Sequence, residues 1–229
     1  MSPRARRILP AVLASIPVLA ILLVLGTWQV RRLHWKTDLL AQIASAEAGP
    51  PVPLTDTPVP FSKVEATGRF RYDLEAILGV EVRGPVLGTR LVTPLERDGR
   101  PVVLVDRGWV PLERRGAAID RPEGPVSVTG YVSPPQDRDF FAATDDTAGR
   151  RFYTADPRAI GAALGLPTVM PDLLVALAPP GTRPEALPQG AETLPRPPNS
   201  HLGYAITWYG LAASLVGVLL AWALRRDGT

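Results

Sequence analysis

The chain has 229 residues, 46% of them apolar, with 26 prolines, 20 glycines and no cysteine, which excludes collagen-like, disulfide-scaffold and disordered classes. The missing thiols also exclude thiolate metal sites, a C-x-x-C-H haem attachment and a cysteine nucleophile. Formal charge is +3, from 25 Lys and Arg against 22 Asp and Glu, and where these charges are absent matters more than their sum.

Arg4, Arg6 and Arg7 lead into a stretch without charge, Ile8 to Val30, and a second such stretch runs from Leu202 to Leu224. Each holds 23 residues, about 34 Å as a helix, against ~30 Å for the hydrocarbon core of a bilayer. Both read as transmembrane helices, spanning 8–30 and 201–224. The first exceeds the ~7–15 apolar residues of a signal peptide and ends LVLGTWQVRR without an A-x-A-like site, so it reads as an uncleaved anchor. Two spans place residues 1–7 and 225–229 on one side, and Arg4, Arg6, Arg7, Arg225 and Arg226 against Asp227 make that side cytoplasmic. Arg31, Arg32 and Lys36 on the far side run against the rule, which long translocated loops largely escape. The translocated part keeps 20 basic and 21 acidic residues, so no nucleic-acid patch is expected. Phosphate-loop, dinucleotide, zincin and nucleophile-elbow motifs are missing as well.

Residues 31–60 read as a juxtamembrane segment and Pro-rich linker, 61–178 as the translocated domain and 179–200 as a second Pro-rich linker, the two linkers forming extended, semi-rigid tethers. Within the domain, Lys63–Phe70 and Glu75–Arg83 read as strands. Arg90–Arg97 and Pro101–Asp106 read as a hairpin, because the Asp98-Gly99 pair supplies the positive φ of its turn. Val126–Val132 is a further strand. Asp156 and Pro157 start a helix through Leu164 that Gly165 ends, and Leu173–Ala178 returns to the sheet. The expected fold class is a membrane protein of α+β type: two transmembrane helices flanking a periplasmic β-rich antiparallel-sheet domain with about one helix.

Two histidines are present, His34 four residues after the first apolar run and His201 one residue before the second. A neutral imidazole at a lipid–water boundary can ligate a metalloporphyrin whose propionates stay in the polar zone; an interfacial histidine without ligand is the plainer reading. At ~100° per residue, Gly203, Thr207, Gly210, Ser214 and Gly217 form one stripe of small side chains on the second span, suited to close helix packing against the first span or an integral-membrane client. The opposite side carries His201, Tyr204, Trp208, Leu215, Leu219 and Trp222 and borders either a cofactor or lipid, an aromatic belt being the ordinary alternative. In WQVRRLHWK, Trp28 is three or four residues from Arg31 and Arg32, whose guanidiniums suit propionates or lipid phosphates. DRGWVP (Asp106 to Pro111) reads as a turn with a packed aromatic.

NSHLGYAITWYGLA (Asn199 to Ala212), LGTWQVRRLHWK (Leu25 to Lys36), VDRGWVP (Val105 to Pro111) and GPVLGTRLVTPL (Gly84 to Leu95) together resemble the surfeit locus protein 1 family of cytochrome c oxidase assembly factors. The resemblance implies two spans around a periplasmic or intermembrane domain. It implies a non-enzymatic role in building the oxidase core, with haem a held for delivery to subunit I. It places the family's histidine on His201, with Tyr204 and Trp208 beside it, and assigns no role to His34. Ser200 stands where the pattern often has a second Asn. Expected partners are cytochrome c oxidase subunit I, haem a synthase, other oxidase assembly factors and the lipid bilayer.

Two other classes compete with that expectation. A haem-independent membrane scaffold for the oxidase core would use the glycine stripe and not His201. An anchored periplasmic enzyme would need a catalytic constellation, and the domain proper has neither histidine nor cysteine. With 23 Arg against Lys36 and Lys63 as its two lysines, the composition fits a GC-rich bacterium, and the expected location is the bacterial inner membrane.

Overall fold

The computed structural model describes residues 3–113 and 119–224. Two long helices, α1 (Pro3–Ala48) and α3 (His201–Leu224), flank a β-rich domain with one short helix, α2 (Pro157–Ala163). The chain divides into a helical unit, α1 up to Gln42 with the segment from Arg196 onward, and a sheet unit spanning Ile43–Pro195.

The helix α1 continues 18 residues beyond the uncharged run at Val30. RRLHWKTDLLAQIASAEA contains no Gly or Pro and is rich in Leu, Ala, Gln and Arg, so nothing breaks the helix until Gly49 and Pro50. Residues 31–48 are therefore helical, and the Pro-rich segment starts only at Pro50. Both α1 and α3 are long and apolar enough to cross a membrane. The basic flank Arg225–Arg226, with Asp227, lies outside the described residues.

Among the described residues, eight strands form one sheet: β1 (Val52–Pro53), β2 (Lys63–Phe70), β3 (Ala76–Arg83), β4 (Val86–Arg97), β5 (Arg100–Pro111), β6 (Pro125–Ser133), β7 (Arg151–Phe152) and β8 (Val169–Ala176). Their spatial order is β1-β2-β6-β8-β5-β4-β3-β7, and β2 also pairs with β4 through Arg69↔Glu96 and Phe70↔Leu95, so the central five strands curl back on themselves. The sheet is mixed, not purely antiparallel as expected. β5–β8, β1–β2 and β3–β7 are parallel pairs. Turn signals report strand direction only where two strands share a tight turn; β8 reaches β5 after the α2 excursion, and that crossover sets its direction.

The β4–β5 hairpin turns at Asp98-Gly99, with Gly99 alone of the two at positive φ, 66°. Asp156 caps α2 by accepting from Arg158 N at 2.9 Å and Ala159 N at 3.3 Å, and Gly165 follows at φ 72°. β5 is buried on both faces. Val103 and Val105 join a cluster with Val64, Leu95 and Leu174, while Leu104 joins Val92, Ile160 and Leu173 under α2. An unbroken apolar run, Val102 to Val105, is the composition that a central strand between two cores requires.

The Pro-rich segments are not free tethers. β1 pairs with β2, and Leu54 is buried. After β8, Gln189 and Trp109 exchange both backbone hydrogen bonds, at 2.8 and 2.9 Å, and Leu187 and Leu194 are buried. Proline withdraws a donor from these segments, but the remaining amides and the leucines suffice to seat them on the sheet.

DRGWVP explains how the returning segment is received. β5 runs straight through it, so it is not the expected turn, although its tryptophan is packed as expected. Asp106 is 3% exposed, pairs with Arg90 Nε and accepts from Gly108 N at 3.0 Å. Burial pushes its carboxyl above the ordinary range, with Arg90 and the Gly108 amide pulling the other way. Gly108 has φ 126°, and a Cβ there would run into the Gln189 carbonyl. Trp109 Nε1 donates to the Glu81 carbonyl at 3.1 Å under the Arg83 guanidinium, 5.2 Å from the ring centroid.

Arg90→Met strands Asp106 as an uncompensated buried charge and is expected to cost about 3–5 kcal/mol. Asp106→Asn in the same background should recover part of that loss. Urea unfolding of the detergent-solubilised chain, followed by the circular dichroism of the sheet, measures both.

Candidate functional site: the histidine at the start of α3

The inner face of α1 repeats at helical spacing, Ser15, Leu19, Leu22, Gly26, Gln29 and Leu33, and meets α3 at the buried Ala205 and Ala212. Gly26 leaves room there for the Tyr209 ring. A Cβ on Gly26 would lie 2.8 Å from Cε1 of Tyr209, and the Tyr209 hydroxyl is 3.0 Å from Thr27 Oγ1.

At the N-terminal end of α3 this seam brings two α1 residues to His201. Gln29, 8% exposed, places Oε1 2.7 Å from His201 Nδ1. Trp28 meets the imidazole edge-on, with ring centroids 6.4 Å apart and planes at 82°. Nε2 of His201 has no hydrogen bond among the described residues. One turn along α1, Arg32 stacks on Trp35 at 4.1 Å, and neither Arg31 nor Arg32 forms an ion pair among the described residues. Just before α3, Asn199 donates from Nδ2 to Thr37 Oγ1 at 3.4 Å, while its buried Oδ1 has no partner.

The expected site residues separate into two groups. His201 lies in the seam with Trp208, half-buried seven residues on, whereas Tyr204 is 56% exposed on the flank. The stripe Gly203, Thr207, Gly210, Ser214 and Gly217 is exposed, and nothing lies within 4 Å of where a Cβ would stand on any of its three glycines. The helix α1 therefore packs not on this stripe but on the opposite, histidine-bearing face, where Ala205 and Ala212 are buried. Both faces of α3 contain small residues; the Thr27–Tyr209 and Gln29–His201 contacts are made on the histidine-bearing face. Gln29 was not singled out in the sequence, although an amide inside an otherwise apolar run is itself a signal. Among the described residues, no cluster of three or more His, Asp or Glu is spaced to hold a bare metal ion.

Two long apolar helices bracket a mixed-sheet domain, and one histidine is held where the helices meet. A family model, the SURF1 family, matches residues 16–213. The chain is similar to surfeit locus protein 1 of Homo sapiens, 29% identical over 227 residues covering 89% of this chain and 73% of that protein. It is 32% identical to a SURF1-like protein of Drosophila melanogaster over 215 residues, 83% of this chain and 70% of the relative. A SURF1-like protein of Rickettsia bellii is 30% identical over 201 residues, 86% and 83% of the two chains. The chain belongs to the SURF1 family, a family of cytochrome c oxidase assembly factors and not of enzymes.

Gly26→Leu drives a side chain into Tyr209 and is expected to destabilise the helix pair by about 1–3 kcal/mol. Gly210→Leu, on the open stripe, should change it by less than about 0.5 kcal/mol. Unfolding of the detergent-solubilised chain by dodecyl sulfate, monitored by tryptophan fluorescence, separates the two.

Proposed function

We propose that this SURF1-family protein carries haem a at His201 and supports its insertion into subunit I of cytochrome c oxidase. The observation that favours this is the free Nε2 of His201 in a ring already held by Gln29 and edged by Trp28. A neutral imidazole nitrogen without a protein partner is the donor that haem iron accepts. When bound, the haem contributes an apolar ring and a ligand-accepting iron, and this chain's residues fit both. Trp28 and Trp208 give apolar surface, Arg31 and Arg32 are available to propionates, and the unpartnered Asn199 Oδ1 can accept from a donor on the bound group.

A single protein ligand suits a carrier, because cargo leaves faster when one bond and not two must break. His34 is exposed and has no such setting. The exposed Gly203/Gly210/Gly217 stripe is the face on which an integral-membrane client such as subunit I, haem a synthase or another assembly factor can approach. In this reading α1 and α3 span the bacterial inner membrane with both termini cytoplasmic and the sheet unit periplasmic.

Co-expression with haem a synthesis enzymes, purification in detergent and reduced-minus-oxidised spectra test the reading. Haem is expected in the wild type and in His34→Ala and lost from His201→Ala. Haem retained at wild-type level in His201→Ala overturns His201 as the ligand, and no haem in any sample overturns the carrier reading and favours the haem-independent scaffold. Topology is checked separately: alkaline phosphatase fused within the sheet unit should be active, and fused after Thr229 inactive.

A further inference from the structure

We infer that Gln29 is the positioning residue for His201: it holds the imidazole with the proton on Nδ1, presents the lone pair on Nε2, and does so without charge, so that His201 is a deliberately moderate donor. The consequence for haem rests on the function proposed above; the tautomer itself does not.

Three polar side chains interrupt the uncharged run of α1, namely Ser15, Thr27 and Gln29. The two hydroxyls satisfy themselves on their own helix, Ser15 on the Ala11 carbonyl at 2.7 Å and Thr27 on the Leu23 carbonyl at 2.8 Å. A glutamine has no comparable local bond in a helix, and burying its amide unpaired is costly. Its one polar contact among the described residues is His201 Nδ1 at 2.7 Å. The amide oxygen faces the ring, so Nδ1–H donates and Nε2 is left as the acceptor; in a ring with one proton, fixing one nitrogen fixes the other.

The choice of amide over carboxylate matters as much as the bond. A carboxylate at this position would draw the Nδ1 proton toward itself and raise the basicity of Nε2, as it does behind histidine ligands that hold metals tightly. An amide oxygen orients the ring but adds no negative charge. Gln29 therefore combines a fixed ligand geometry with a donor weak enough to let cargo go.

The chain's two histidines make the test direct. In haem-free protein labelled with 15N-histidine, at about pH 8 and so above the ordinary imidazole pKa of ~6.5, the ring-nitrogen spectrum holds two residues, and His34→Gln assigns them. His201 is expected as the Nδ1–H tautomer in the wild type and in Gln29→Glu. In Gln29→Leu it is expected to revert to the Nε2–H form. An Nε2–H wild type, or a Gln29→Leu spectrum unchanged from wild type, overturns the inference whatever the haem result.

In the haem-loaded protein, transfer to apomyoglobin reads the release rate. About tenfold faster release is expected from Gln29→Leu and about tenfold slower from Gln29→Glu, the latter with a raised iron–histidine stretching frequency in the resonance Raman spectrum. Release and Raman unchanged in both variants, while His201→Ala loses haem, overturns the donor-strength part and leaves the carrier reading standing. A wild type that shows the Nδ1–H tautomer but takes up no haem supports the positioning role and overturns the carrier reading instead.

Discussion

Burial of both faces of β5 is the constraint on which the sheet unit depends. With Val103 and Val105 on one side and Leu104 on the other, the strand must sit between two apolar clusters. That requirement places β4 and β8 on its two edges, and it forces α2 to cover the side that the curled sheet does not close. The far end of the same strand then carries polar residues into a buried setting. Asp106 is admissible there because Arg90 and the Gly108 amide both face it, and Trp109 because its Nε1 finds a backbone carbonyl. DRGW is thus a seat for the returning chain near Gln189, and its chemistry is consumed by packing.

The helical unit obeys a different economy. Between helices that are apolar all round, the packed face is selected by close approach and polar bonds. Gly26 against Tyr209, the Thr27–Tyr209 hydroxyl contact and Gln29–His201 supply these on one side of α3. The glycine stripe on the other side stays open. A histidine inside a seam of this kind has its orientation fixed by one nitrogen while the other remains available, which separates ligand positioning from ligand strength.

Much of this was legible along the chain. The two apolar runs, the β2 bounds at Lys63–Phe70, the Asp98-Gly99 turn and the Asp156 cap all rest on patterns within contiguous stretches of chain, and the helices and strands follow them closely. The continuation of α1 to Ala48 was available in the same way, from the absence of Gly and Pro after Val30, but hydropathy alone draws the eye to where charge begins. The Pro-rich segments look like tethers because proline content reports local stiffness and says nothing about whether Leu187 and Leu194 find a core.

The sequence by itself determined which segments are apolar helices, where six of the eight described strands lie, that His201 sits at a helix start, and the family to which these motifs belong, because each is written in local periodicity and order. Only the tertiary structure decided that β8 runs parallel to β5, that the first helix packs on the histidine face and not on the glycine stripe, and that Gln29 meets His201 across 172 positions of chain. Those are choices between surfaces that are equally permitted locally. They are settled by the area each buries and by the partners that buried amides and imidazoles must find, and neither quantity exists until distant parts of the chain are brought together.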